Sequence, residues 1–164
     1  MSFAMSHFLS ARRSQPDRGF TLLEVMVVVL VIGILLAVGI PTYLGARERA
    51  HDRAAQQTAR TSINTAISFF ADDGNFLDAN YINLGEEEPG FTWVQRGLNS
   101  THDRMISVWW PTDNGDRYGS AVMSETGTCW FILANANAPT LYGSSDTAAC
   151  RGNNVVANAT DPSW

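Results

Sequence analysis

The sequence has few of the residues on which enzymes and metal sites depend. It holds three histidines (His7, His51 and His102) and two cysteines. No serine or cysteine motif accompanies the histidines, and no glycine-rich phosphate loop is present. The two cysteines have no third ligand near them, so a metal or redox role is not expected. We therefore expect neither an enzyme nor a bound cofactor.

Lysine is absent, since every one of the 11 basic residues is an arginine. Aspartate and glutamate together number 16, and the formal net charge is −5. Nucleic-acid binding depends on cationic contacts to phosphates. An acidic chain therefore argues against general nucleic-acid binding, and no specific nucleic acid is inferred as a partner.

Charge is also missing from Val25 to Ala46. As a helix this run measures about 33 Å, which matches a hydrocarbon core of about 30 Å. A buried core helix is one alternative, but chains of this length rarely hide so long a helix that is apolar on every face. A cleaved secretory signal is another, but the run is longer than a normal signal core. We expect a transmembrane helix at about 25–46.

A polar leader precedes this run and contains Arg12, Arg13 and Arg18 against Asp17. Basic residues that flank a membrane helix stay in the cytoplasm, so the C-terminal part is expected outside. A signal peptide carries its apolar core before the cleavage site. Here the apolar core follows the leader, which predicts that the helix survives processing.

Glu24 is a single carboxylate at the edge of the apolar run. The local explanation is an acid in the first turn of a helix, which the macrodipole favours by about 0.3–1 kcal/mol. Charges inside a membrane are, however, mostly functional and paired. An unpaired carboxylate is costly in a low dielectric, and a paired one is much less so. We therefore expect a positive partner for Glu24.

Gly33, Gly39 and Pro41 interrupt the apolar run. Proline removes a backbone donor, and glycine weakens a helix by roughly 1 kcal/mol. Either a simple kink or a deliberately weak section between Gly33 and Pro41 explains them.

The remaining sequence predicts an α+β fold. A long helix is expected over 20–71, with an amphipathic second half marked by Ile63, Ile67 and Phe70. Gly74 is its expected C-cap. A globular C-terminal domain over 72–164 should place a small antiparallel β-sheet against this helix.

The strands of that domain are predicted from runs of Val, Ile, Trp and Phe. They are 105–110, 118–124 and 128–134, with a short strand possible at 91–94 in a connecting loop over 75–97. Asp113-Asn114-Gly115-Asp116 is a hairpin signal. A calcium site in this loop is the alternative, but it lacks the longer acidic series that calcium needs, so we expect no metal.

Cys129 and Cys150 both lie in the part expected outside the membrane, where two cysteines predict a disulfide. The alternative is a pair of free buried thiols. Between them, 135–149 is rich in Ala, Asn, Ser, Gly and Thr. We expect an irregular loop there, which the disulfide holds on the sheet.

The stretch Arg18-Gly19-Phe20-Thr21-Leu22-Leu23-Glu24 resembles the prepilin signature of type IV pilins and the related pseudopilins. The resemblance implies cleavage between Gly19 and Phe20, which removes a leader of residues 1–19. The prepilin peptidase that cuts there also N-methylates the new terminus. Glu24 matches the assembly glutamate of the family, and the new amine on Phe20 of one subunit would neutralise Glu24 of another.

The same resemblance implies further features. The section with Gly33, Gly39 and Pro41 is similar to the part of pilins that loses helical structure when subunits pack into a filament. The spacing of Cys129 and Cys150 is similar to that of the C-terminal disulfide loop of pilins. The implied partners are other copies of the chain in a helical homopolymer, the prepilin peptidase, the inner-membrane pilus assembly machinery, and the membrane before assembly.

The expected function is that of a type IV pilin. The precursor would cross the cytoplasmic membrane once with its C-terminus outside, and the assembled chain would form a cell-surface filament for adhesion, twitching motility or DNA capture. A pseudopilin of a type II secretion system is the first alternative, which a calcium site would favour. A membrane-anchored binding protein that never polymerises is the second, and it leaves Glu24 without a partner.

Overall fold

The computed structural model of the chain describes residues 19–111, 114–147 and 149–164. The predicted leader lies outside the described residues except for Gly19, and so does Asp113 of the predicted hairpin signal. The chain forms two compact units, which divide between Pro41 and Thr42.

The first helix, α1, runs from Leu22 to Asp73, where the sequence predicted 20–71. It begins after Thr21, whose hydroxyl accepts a hydrogen bond from the Glu24 N–H at 3.2 Å. This bond satisfies one of the free amide groups at the start of a helix. The helix ends before Gly74, which has a φ of 69° and donates its N–H to the Phe70 carbonyl at 2.8 Å. Gly74 thus forms the expected C-cap.

Five strands form one sheet in sequential order. They are β1 Thr92–Gln95, β2 Met105–Trp109, β3 Arg117–Met123, β4 Cys129–Asn135 and β5 Ala138–Ser145. A short helix, α2, spans Tyr81–Glu87, and another, α3, spans Val155–Asn158 after a single 3₁₀ turn at Gly152–Asn154.

The sheet is mixed, where the sequence predicted an antiparallel one. β2 to β5 pair antiparallel, but β1 pairs with β2 in parallel. The difference arises because the loop at 96–104 carries the chain back to the starting end of β1 instead of reversing it in a tight turn. The predicted arrangement of a long helix and a small sheet is confirmed.

The second half of α1 packs on one face of the sheet. Ala55, Ala59 and Ile63 of the helix share a buried cluster with Ile106 and Ile132 of the strands. A polar contact lies inside this interface, since the Ser62 and Ser120 hydroxyls are 2.5 Å apart.

Tyr118 on β3 belongs to the same cluster and is fully buried. Among the described residues its hydroxyl has no hydrogen-bond partner. Burial raises the pKa of this hydroxyl, and the Ser62 side chain has a smaller opposite effect on the same pKa.

The other face of the sheet is covered by residues 149–161, here called the C-terminal segment. Val155 and Ala159 of this segment pack against Ala121, Phe131 and Leu133, which alternate along β3 and β4 with the residues that face α1.

The C-terminal segment approaches the sheet so closely that glycine is required. A Cβ atom on Gly143 would lie 1.8 Å from the Asn158 carbonyl oxygen, and one on Gly119 would lie 2.6 Å from a Val155 methyl carbon. The protein is therefore layered as helix, sheet and C-terminal segment over residues 42–164.

The C-terminal segment also covers the outer edge of β5. Tyr142 and Asp161 exchange backbone hydrogen bonds of 2.7 and 2.9 Å. Beyond them, the Trp164 ring packs on Tyr142 and Trp130 with centroid distances of 4.8 and 5.7 Å. This cover removes an unpaired strand edge, which is a common site of unwanted association.

Cys129 and Cys150 form the predicted disulfide, with their Cα atoms 5.3 Å apart. The prediction of an irregular loop between them is wrong for most of its length, because Ala138–Ser145 pairs with β4 as β5. The bond therefore fixes the start of the C-terminal segment to the sheet. The predicted loop over 75–97 also contains α2, which begins where the Asn80 side chain accepts hydrogen bonds from the Ile82 and Asn83 N–H groups.

We predict that Gly143→Ala lowers the free energy of unfolding by about 1–3 kcal/mol, the usual cost of overpacking. The reason is the contact with Asn158, which forces the C-terminal segment off β5. Urea unfolding of the full chain in detergent, followed by tryptophan fluorescence, measures this change. Gly90→Ala is the matched control, since a Cβ at Gly90 meets no atom within 4 Å. Equal stability of the two variants would contradict the close approach.

We predict that replacing Cys129 and Cys150 together by serine lowers the free energy of unfolding by about 3 kcal/mol, because the bond closes a loop across 21 positions. The same urea titration measures the loss. Non-reducing peptide mapping of protein purified without reductant should recover the two cysteines in one linked fragment. Two free thiols in that protein would refute the assignment.

Candidate assembly site at the start of the helix

The first turns of α1 expose almost every side chain they carry. Phe20 is 82% exposed, Leu22 76% and Leu23 73%. From Val25 to Leu44 no large apolar side chain is less than 49% exposed. Within the described residues, α1 is the helix long and apolar enough to cross a membrane. This surface needs either lipid or other protein chains to cover it.

Glu24 lies in the first turn of this surface and is exposed. Its backbone N–H donates to the Thr21 hydroxyl, and among the described residues its carboxylate makes no hydrogen bond to the helix start. Among the described residues Glu24 has no basic side chain within ion-pair distance, and the one contact of this kind found there joins the His51 ring to Glu125. The carboxylate is therefore free to accept a partner from outside.

Thr21 is a site residue that the sequence analysis missed. Thr21-Leu22-Leu23-Glu24 has the spacing of a capping box, in which a threonine is followed three residues later by glutamate. The structure contains the first half of that motif, the hydrogen bond from the Glu24 N–H to the Thr21 hydroxyl. The helix thus starts at Leu22, two residues after Phe20. Cleavage is expected to make Phe20 the new N-terminus.

Gly33, Gly39 and Pro41 all lie inside α1 and do not end it. Pro41 has no N–H to donate to the carbonyl of Ala37, four residues earlier. The two compact units of the chain divide directly after this proline. Loss of helical structure in this section stays a prediction.

His51 lies in a polar groove far along the helix, with both ring nitrogens in contact with charged side chains. Arg47 donates its Nε–H to His51 Nε2 at 3.2 Å, and His51 Nδ1 lies 3.2 Å from a Glu125 carboxylate oxygen. Next to this pair, Thr126 donates its hydroxyl to Asp52 at 2.6 Å. These contacts attach the turn between β3 and β4 to α1.

The predicted site residues thus fall into three groups. Gly19, Phe20 and Glu24 lie at the start of α1, and Gly33, Gly39 and Pro41 lie further along it. Cys129 and Cys150 lie on the face of the sheet that the C-terminal segment covers. In the part of the chain that the structure describes, no three His, Cys, Asp or Glu side chains are grouped as metal ligands would be.

Comparisons with known proteins find similarity at the N-terminal end of the chain. Residues 15–40 match the family described as the prokaryotic N-terminal methylation motif. The chain is 30% identical over 117 residues to the type IV wide pilus major component PilA4 of Thermus thermophilus, a match that covers 70% of this chain and 79% of that protein.

Two further relatives differ in the length of their match. The type IV major pilin protein PilA of Myxococcus xanthus is 28% identical over 120 residues, 73% of this chain and 43% of that protein. The type II secretion system core protein G of Escherichia coli is 43% identical over 69 residues, 42% of this chain and 48% of that protein. The chain thus spans about half the length of these two curated relatives. No solved structure matches the chain significantly.

Proposed function

Because the chain belongs to the type IV pilin-like family, we propose that it is the structural subunit of a type IV pilus filament. The observation that carries this proposal is the exposed apolar half of α1 with a free carboxylate, Glu24, in its first turn. Lipid covers this surface in the precursor, and neighbouring copies cover it in the filament. The C-terminal domain then forms the outer surface of the filament.

Processing precedes assembly in this proposal. Prepilin peptidase removes residues 1–19 and leaves a positively charged amine on Phe20. The membrane-bound subunit keeps its C-terminal domain outside, and the inner-membrane assembly machinery moves it into the growing filament. The amine of one subunit pairs with Glu24 of its neighbour, which aligns the two helices and neutralises a carboxylate in a low dielectric.

The section from Gly33 to Pro41 is proposed to lose helical structure as subunits pack together. Two glycines and a proline within nine residues lower the cost of unwinding it. Neighbouring chains can satisfy the freed backbone groups, as they do in membrane proteins. Such a section would allow the filament to extend under load.

A type II secretion pseudopilin is the second candidate function. It is favoured by the matches to type II secretion core proteins, which reach 43% identity. Those alignments of 59 to 69 residues are no longer than the leader and α1 together. The pilin alignments of 117 to 120 residues must extend into the C-terminal domain, which supports the pilus as the first choice. Electron microscopy of sheared surface material, with this chain identified in it, tests the choice.

We predict that the mature chain begins at Phe20. The polar leader precedes an apolar helix that must be retained for anchoring, so the cut has to fall before that helix. Mass spectrometry of the protein from membranes and from sheared filaments gives the terminus directly. A mature chain that begins at Met1, or after the apolar run, would refute the processing step.

We predict that Glu24→Ala and Glu24→Gln leave membrane insertion intact and lower the yield of sheared filaments at least tenfold, equivalent to about 1.4 kcal/mol or more per docking event. Removing the charge makes the helix more lipid-soluble, so what is lost is the partner of the Phe20 amine. Glu48→Gln, a carboxylate beyond the apolar run on the same helix, is the matched control. Wild-type filament yield from Glu24→Gln would contradict the pairing.

A further inference from the structure

Three arginines form an exposed stripe along one flank of α1, well beyond the apolar run. Arg49, Arg53 and Arg60 fall within about 40° of one another around the helix at 100° per residue. All three are exposed, whereas Ala55, Ala59 and Ala66 of the buried face point to the sheet. We call Arg49, Arg53 and Arg60 the arginine stripe.

The arginine stripe concentrates positive charge on one part of α1. Arg49 and Arg53 are spaced i, i+4, where like charges destabilise a helix by about 0.2–0.5 kcal/mol. Among the described residues none of the three forms an ion pair. The nearby carboxylate of Asp52 accepts a hydrogen bond from Thr126 instead, and Arg60 lies 5.3 Å from the Trp164 ring centroid.

Negative charge is concentrated in residues 72–88, which include the last two residues of α1 and continue beyond it. Residues 72–88 contain six carboxylates and no arginine. Five of the six are exposed: Asp72, Asp73, Asp78, Glu86 and Glu87. Asp72 and Asp73 lie in the last turn of α1, where the helix dipole disfavours negative charge. This segment also lacks an ion pair in the part of the chain that the structure describes.

The arginine stripe and the end of α1 are well separated inside one copy, since Asp73 lies about 20 Å beyond Arg60 and about 30 Å beyond Arg53 along the helix. Contacts between different surfaces of identical subunits are the kind that propagate a helical filament. Opposite charges on those surfaces would set the register and exclude wrong contacts. Contact between the two surfaces would relieve the repulsion between Arg49 and Arg53, and also the unfavourable position of Asp72 and Asp73 at the end of the helix.

We propose that the arginine stripe of one copy docks on residues 72–88 of a neighbouring copy. The inference rests on the proposed filament function and names the contact that orders the outer parts of the subunits. It is separate from the pairing of Phe20 with Glu24.

The absence of lysine allows a direct test of this contact. Arg53→Lys keeps the positive charge and introduces the only side-chain amine of the chain. A carbodiimide joins an amine to a carboxylate in direct contact, with loss of water. In filaments of this variant, mass spectrometry should find the new amine joined to a carboxylate within 72–88. Arg151→Lys, exposed but outside the stripe, is the matched control and should give no link to that segment.

Filaments in which position 53 links elsewhere, or not at all, would overturn the contact and leave the proposed function standing. If the wild-type chain forms no filaments, both the contact and the proposed function are refuted. A charge exchange gives a second readout: Arg53→Glu and Glu87→Arg should each lower filament yield about tenfold, and the double variant should recover most of it. No recovery in the double variant, with each single variant still folded by tryptophan fluorescence, counts against the docking.

Discussion

Among the residues that the structure describes, the first half of α1 buries none of its large apolar side chains. From Phe20 to Leu44 the large apolar residues are 49–82% exposed. Burial of one such side chain is worth about 1.5–3 kcal/mol, so the whole set exceeds the 5–15 kcal/mol that stabilises a typical domain. This surface therefore needs a cover from outside the residues that the structure describes, and lipid and other copies are the two covers proposed for it.

The C-terminal domain covers both faces of its own sheet, so its fold does not depend on such an outside cover. The second half of α1 is buried on one face of the sheet, and the C-terminal segment covers the other. Gly119 and Gly143 permit the close approach of the segment, and the Cys129–Cys150 bond fixes its start. A domain that is complete in this way can keep its structure while the helix that carries it moves from lipid into a polymer.

The sequence predicted the features that depend on composition and short-range pattern. The apolar run, the C-cap at Gly74 and the cysteine pair are of this kind. It did not predict β5, because Ala138–Ser145 contains proline, glycine and serine and is ordered by pairing with β4 and by cover from the C-terminal segment. The parallel pairing of β1 was equally inaccessible, since it is set by the path of the irregular loop at 96–104 that leads to β2.

The start of α1 contains a capping pattern that was not predicted. Thr21 and Glu24 have the spacing of a capping box, and the structure contains its hydrogen bond from the Glu24 N–H to the Thr21 hydroxyl. This arrangement separates two roles that one residue would otherwise have to fill. The Thr21 hydroxyl accepts from the backbone amide of Glu24, and among the described residues the Glu24 carboxylate makes no hydrogen bond to the helix start. An exposed carboxylate that is costly in lipid when unpaired fits the proposed contact between subunits.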